Sequence, residues 1–245
     1  MRQLLDVRAQ RLVREGRLPI GLVGKQWQQQ LVEELVPVRR SWLALGARYP
    51  TPAAKLVVSL DLDGILLDDW IDKLRSNDGE TVWLLQISSK VLDRKGAPRG
   101  DKLIGPWLRQ LAASAAGAAV TGYLVARDAT LKMVPLDAEL ARATLGNLAA
   151  LWRANLDHPL AVACKTALAQ LAGDDPREAY DGGFEIDGEV ADPCLARLWP
   201  EFALLRAAGG WPAVVEQLYG PLAAWLKEGV TVAPHEVLPH PGMAA

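Results

Sequence analysis

Hydrophobic and polar positions follow two different periods along this chain, and the change of period marks its organisation. Near the start, Leu5, Val7, Leu12 and Val13 predict an amphipathic helix ending near Gly16. Trp27, Leu31, Leu35 and Val38 predict a second helix, which Pro37 should kink or end. Residues 46–52 then read as a linker. From Lys55 the period shortens. Leu56, Val57, Val58, Leu60 and Leu62 form a β-type run that stops at Asp63-Gly64, a strong hairpin signal. A second run from Ile65 to Leu74 ends at Ser76-Asn77-Asp78-Gly79, and a third runs from Glu80 to Ser89. Three antiparallel strands in a meander are predicted.

Helical spacing returns afterwards. Trp107, Leu108 and Leu111 in an Ala-rich stretch to Ala116 predict a packing helix, and the apolar run Tyr123–Val125 predicts a further strand ending at Arg127-Asp128. Residues 136–156 are helix-compatible, with Leu140, Leu145, Leu148, Leu151 and Trp152 on or near one face that should pack on the sheet. Residues 173–188 are acidic and loop-like, and 195–208 and 211–227 predict a terminal helical pair. The proline-containing segment 233–245 is expected to be disordered. The fold expected is α/β, of the α+β kind: a helical segment over 1–50, a strand-rich core over 51–160, a loop-rich and helical part over 161–232, and the tail.

Helix, three strands, helix, strand is the layout of a metal-dependent nuclease core. Phosphodiester hydrolysis of that kind needs carboxylates to hold the cation and usually a lysine beside the water. Residues two apart on a strand share a face, so the pattern places one Asp on the second strand and an acid-x-Lys pair on the third. Asp72 fills the first position. Gln86 stands where the acid should be and Ser88 where the lysine should be. No register shift repairs this, because Glu80 is the strand's only acid and Val82 follows at the lysine spacing. Displaced partners offer an alternative, an active magnesium-dependent nuclease using Asp72 with Asp93 and Lys95, although Asp93-Arg94-Lys95 lies in a segment broken by Gly96, Pro98 and Gly100.

Other chemistry is weaker. Gly21-Leu22-Val23-Gly24-Lys25-Gln26 resembles a phosphate loop only faintly, with two residues between its glycines and Gln26 in place of the magnesium-binding hydroxyl. His158, His235 and His240 are isolated, and Cys164 and Cys194 have no metal-ligand spacing, which predicts free thiols and a cytoplasmic setting. No apolar run approaches the length of a membrane span, and no targeting segment is visible. A formal net charge of −2 argues against a generally basic nucleic-acid-binding surface. Locally the balance differs, since Lys90, Arg94, Lys95, Arg99 and Lys102 stand against only Asp93 and Asp101 and form a candidate phosphate-binding segment. Among the nine tryptophans, Trp42, Trp83, Trp107, Trp199 and Trp225 could anchor a partner or stack on bases, but most of the nine, these included, read more simply as core.

Several short segments, in order and spacing, resemble the C-terminal region of the exodeoxyribonuclease V gamma subunit, the RecC family. These are Arg17-Leu18-Pro19, Leu60-Asp61-Leu62-Asp63-Gly64, Val134-Pro135-Leu136-Asp137, His158-Pro159-Leu160, Lys165-Thr166-Ala167-Leu168-Ala169, Ala179-Tyr180-Asp181, Glu189-Val190-Ala191-Asp192-Pro193 and Arg197-Leu198-Trp199. The resemblance spans nearly the whole chain. It implies a restriction-endonuclease-like (PD-(D/E)XK) core that has lost catalysis, a role as scaffold and DNA-handling domain at a split fork, and work beside RecB-like and RecD-like subunits that use ATP and magnesium. It implies no cofactor in this chain, and double-stranded and forked DNA as further partners. Because the family's subunit is several times longer, with helicase-like regions upstream, the chain is expected to be a fragment, a truncated product or an excised domain. Cys164 stands where related sequences tend to have proline.

Overall fold

A computed structural model describes residues 2–183 and 186–235. Two helices open the chain, α1 (Arg2–Arg14) and α2 (Leu22–Arg48), followed by strands β1 (Thr51–Pro52), β2 (Leu56–Leu62), β3 (Ile65–Ile71), β4 (Leu74–Ser76) and β5 (Thr81–Gln86). Next come α3 (Gly100–Ala115), β6 (Thr121–Val125), β7 (Thr130–Met133), α4 (Ala138–Ala154), α5 (Cys164–Ala172) and α6 (Pro176–Asp181). A single 3₁₀ turn (Glu189–Ala191) leads to α7 (Pro193–Leu198), α8 (Phe202–Ala207), α9 (Trp211–Glu228) and β8 (Val230–Ala233).

The strands form a six-stranded sheet in the order β1-β4-β5-β6-β7-β8, in which only β5 and β6 run parallel, and a separate hairpin of β2 and β3. The first turn forms as its sequence demands. Asp63 (φ 54°) and Gly64 (φ 80°) both take the left-handed conformation of a two-residue hairpin turn, and Leu62 pairs with Ile65. The predicted three-stranded meander does not. Its second strand breaks at Asp72-Lys73, where Lys73 also has positive φ (56°), so β3 stays with the hairpin and β4 turns into the main sheet. The third strand ends at Gln86 rather than Ser89.

Three further boundaries depart from the sequence expectations. Pro37 neither ends nor splits α2, which runs on to Arg48 and absorbs the start of the expected linker. A proline removes one backbone donor, and burial of Val38 and Leu45 against the sheet offsets that loss. The acidic stretch contains α6, started by Asp175 as N-cap and Pro176 in the first turn. Pro200 lies between α7 and α8, dividing the first of the two predicted terminal helices. Beyond 235 the predicted disordered tail lies outside the described residues.

Helices cover both faces of the sheet. On one, Val82, Leu84, Tyr123 and Val125 pack against Val38, Leu45 and Tyr49 of the α2 region. On the other, Trp83, Leu124, Leu131 and Met133 meet Leu103, Trp107 and Leu111 of α3, with Leu222 and Trp225 of α9 and the inward residues of the hairpin. The buried Trp83 indole donates to Gln110 Oε1 at 2.9 Å, and Gln110 Nε2 donates to Val120 O at 2.6 Å, so a fully buried amide is satisfied at both ends. Gly122 faces Trp83 so closely that a Cβ there would collide with the ring. Helix α4 packs on α3 and on the β2 strand of the hairpin, with Ala141 and Leu145 in the main core.

Candidate functional site

Asp72, Gln86 and Ser88 do not converge. Asp72 sits at the break between β3 and β4, where Arg109 of α3 donates to its carboxylate Oδ1 and to its carbonyl, both at 3.2 Å. Gln86 ends β5 with the side-chain parity of Val82 and Leu84, the face covered by α2, and lines a cavity with residues of α1 and α2. One residue is thus held from the α3 side of the sheet and the other looks out on the α2 side. Ser88 is exposed beyond the strand. Among the described residues no group of three or more His, Cys, Asp or Glu is placed to hold a metal ion.

The alternative pair, Asp93 and Lys95, is used by its own loop. Asp93 Oδ1 accepts from the backbone N–H of Lys95 and of Ala97, each at 2.8 Å, while Asp93 N–H donates to Ala97 O at 2.9 Å. Lys95 Nζ points to Asp174 Oδ1 at 3.7 Å. A carboxylate committed to two main-chain donors closes a turn; it is poorly placed to hold a cation as well.

That loop carries the basic segment, and it is an ordered excursion. The Asp128 carboxylate accepts from Val91 N–H (2.9 Å) and Leu92 N–H (3.1 Å), Leu92 bridges Pro98, and Arg99 N–H returns to Val91 O at 2.8 Å. Its five cations differ in availability. Arg99 makes a two-pronged contact with Asp101 (3.1 and 2.8 Å), and Lys102 lies 3.8 Å from the same carboxylate. Among the described residues Lys90 and Arg94 are exposed and make no ion pair. The segment also spans more than a loop, since α3 begins at Gly100 and takes Lys102 into its first turn.

The tryptophans sort differently from the sequence expectation. Trp83, Trp107 and Trp225 are buried core, and Trp42 and Trp199 are half-buried. Trp27, Trp70 and Trp152, none of them named as a contact candidate, are 55%, 56% and 61% exposed, so Trp152 does not join the packing face expected of it. Trp70 stands on the outer face of the hairpin opposite Val57, with Lys55 Nζ 4.5 Å from its ring centroid. Asp128 and Arg109 were also missed. Their partners are 36 or more residues away in sequence, and no local pattern announces such a bond.

A mostly antiparallel sheet clasped between helices, with an added hairpin, defines an α+β domain of nuclease-like layout. Residues 1–175 match the family model described as the RecC C-terminal domain, and the chain belongs to that family. The match stops in the turn before α6, short of the nearly complete span that the sequence motifs imply. Yet α9 and β8 complete the core and the sheet. No curated protein matches the chain. Among the described residues no helix is long and apolar enough to cross a membrane.

Proposed function

We propose that this chain is a non-catalytic scaffold and DNA-handling domain of a RecC-like subunit. It would act in the cytoplasm within an exodeoxyribonuclease V-type helicase–nuclease complex that processes double-strand breaks for recombination. RecB-like and RecD-like subunits would supply ATP hydrolysis and magnesium-dependent cleavage, and this chain would need no cofactor of its own. Family membership supports the assembly. Support for the loss of catalysis comes from the separation of Asp72 and Gln86 onto opposite sides of the sheet, with Arg109 beside Asp72 where a metal ion would be needed.

DNA contact would fall to Lys90 and Arg94 at the head of the basic segment, with Lys95, Arg99 and Lys102 adding charge that their acidic neighbours partly cancel. Such a patch would grip phosphates without reading sequence.

The test has two arms. Purified chain and its Asp72→Ala variant are incubated with end-labelled forked DNA and magnesium or manganese, and the tagged chain is co-expressed with RecB-like and RecD-like subunits. No cleavage by either protein together with recovery of both partners is expected. Cleavage that disappears in the variant would restore the nuclease reading, and a chain that leaves its partners behind would remove the scaffold.

A further inference from the structure

Helix α1 and the first half of α2 pack together as a helical hairpin that leaves several large apolar side chains exposed. Leu4 is 50% exposed, Val7 56%, Leu22 84% and Val23 53%. A groove of about 680 Å³ is lined by Leu4, Leu5, Leu12, Leu31 and Leu35 of these two helices and by Gln86 of β5. Arg8, Arg11 and Arg39 line the same groove against one acid, Glu15. Arg11 is paired with Glu15 at 2.7 Å, whereas among the described residues Arg8 and Arg39 make no ion pair. Residues 1–40 carry seven arginines and one lysine against Asp6, Glu15, Glu33 and Glu34, in a chain whose net charge is −2.

We propose that this groove docks an acidic, amphipathic helical segment of a partner protein. Aliphatic side chains of the segment lie on the leucine lining, its carboxylates meet Arg8 and Arg39, and the Gln86 amide offers hydrogen bonds from the sheet. The position where a nuclease would need its acid thereby becomes part of a protein-binding wall. The chemistry of the lining selects protein over nucleic acid, because leucine side chains offer nothing to a phosphate backbone while the cations among them reward carboxylates. Nor does a second copy of the chain supply the complement. Helix α4 exposes Leu140 and Trp152, but its two arginines, Arg142 and Arg153, outnumber its one acid, Glu139, and have the same sign as the groove. Helix α6 is acidic but only six residues long.

This reading stands apart from DNA handling, and the experiment separates the two. The probe is a fluorescein-labelled helical peptide of about 18 residues, five turns long, with leucine along one face and glutamate elsewhere; a twin carries lysine for glutamate. Fluorescence anisotropy with the full chain should give a Kd on the order of 10 µM for the acidic peptide, and binding at least about tenfold weaker for the lysine twin and for Arg8→Glu/Arg39→Gln. Leu4→Asp, at an exposed position, should weaken binding as well and guards against a folding defect in the double variant. Lys90→Glu/Arg94→Glu should leave peptide affinity unchanged. Equal binding of the two peptides, or undiminished binding by both groove variants with intact circular dichroism, overturns the proposal. So does displacement of the peptide by forked DNA, or a dimer of the unliganded chain in sedimentation that vanishes in the groove variants.

Discussion

Arg109 Nη1 lies 3.2 Å from Asp72 Oδ1, and the same guanidinium stands 5.9 Å from the centroid of the Trp83 ring. A cation built into α3 therefore sits beside the carboxylate that the sequence offers to a metal. Ordering two partly exposed side chains in one geometry is worth little, so Asp72→Ala should cost only about 0.5 kcal/mol of stability. Magnesium at millimolar concentration should raise the melting temperature by less than about 1 °C in either protein, since a ligand stabilises a fold only by binding it. A Tm that climbs with magnesium in the wild type and not in the variant would reinstate Asp72 as a ligand.

Tyr49 supplies a pH-dependent element. Its buried hydroxyl donates to Glu80 Oε2 at 2.7 Å and lies 3.4 Å from the Tyr123 hydroxyl. The Tyr49 bond holds the Glu80 carboxyl below its usual range, while burial, with the Tyr123 and Glu80 neighbours, pushes the Tyr49 phenol well above its own. A depressed carboxyl contributes stability that is present above its unfolded value, about 4.3, and is lost as pH falls through the folded one. A raised phenol contributes stability that is present below about pH 10 and is lost as pH rises beyond it. Tyr49→Phe should therefore cost about 1.5 kcal/mol at neutral pH and flatten both limbs, as read from urea denaturation across pH. Unaltered limbs would mean that other groups set them.

Salt dependence should separate the cations of the basic segment. If Lys90 and Arg94 each hold a phosphate, Lys90→Gln/Arg94→Gln should lower the slope of log affinity against log salt for forked DNA by about 1.8. Arg99→Gln should change it less, because Arg99 already binds Asp101 at both prongs. The reverse order, read from anisotropy over a salt series, would move the DNA contact to the start of α3.

Removing everything after residue 175 should abolish cooperative unfolding, although the family match ends there. Leu222 and Trp225 of α9 are buried in the main core, and β8 covers the edge of β7 along Thr130–Met133. Their loss would expose an apolar surface and an unpaired strand edge, which predicts aggregation. A sharp thermal transition in the truncated protein would show that the matched region folds alone.

Local chemistry made much of the fold legible. The β2–β3 hairpin follows from alternation ended by Asp63-Gly64, and α4 from the apolar spacing of Leu140, Leu145, Leu148 and Leu151; the Asp137 carboxylate, accepting the Leu140 N–H at 2.9 Å, caps its start. What escaped was decided by contacts distant in sequence or by caps too short to stand out. Asp175-Pro176 starts a six-residue helix inside an acidic stretch, and β7 and β8 are four residues each. At the candidate site, residue type ruled out a complete ligand set, since Gln86 and Ser88 carry neither carboxylate nor amine. The tryptophans were sorted badly because indole suits a core and an interface equally well.

Composition, period and turn residues were enough to establish an α+β chain with a nuclease-like order of elements and no acid-x-lysine pair on its third strand. Only the tertiary structure decided that Lys73 breaks the expected meander, that Asp72 and Gln86 look out on opposite sides of the sheet, and that Asp93 closes its own loop while Lys90 and Arg94 make no ion pair among the described residues. Strand and turn preferences act between near neighbours in sequence. The partner of a carboxylate and the face on which a side chain emerges depend on which distant segments pack together.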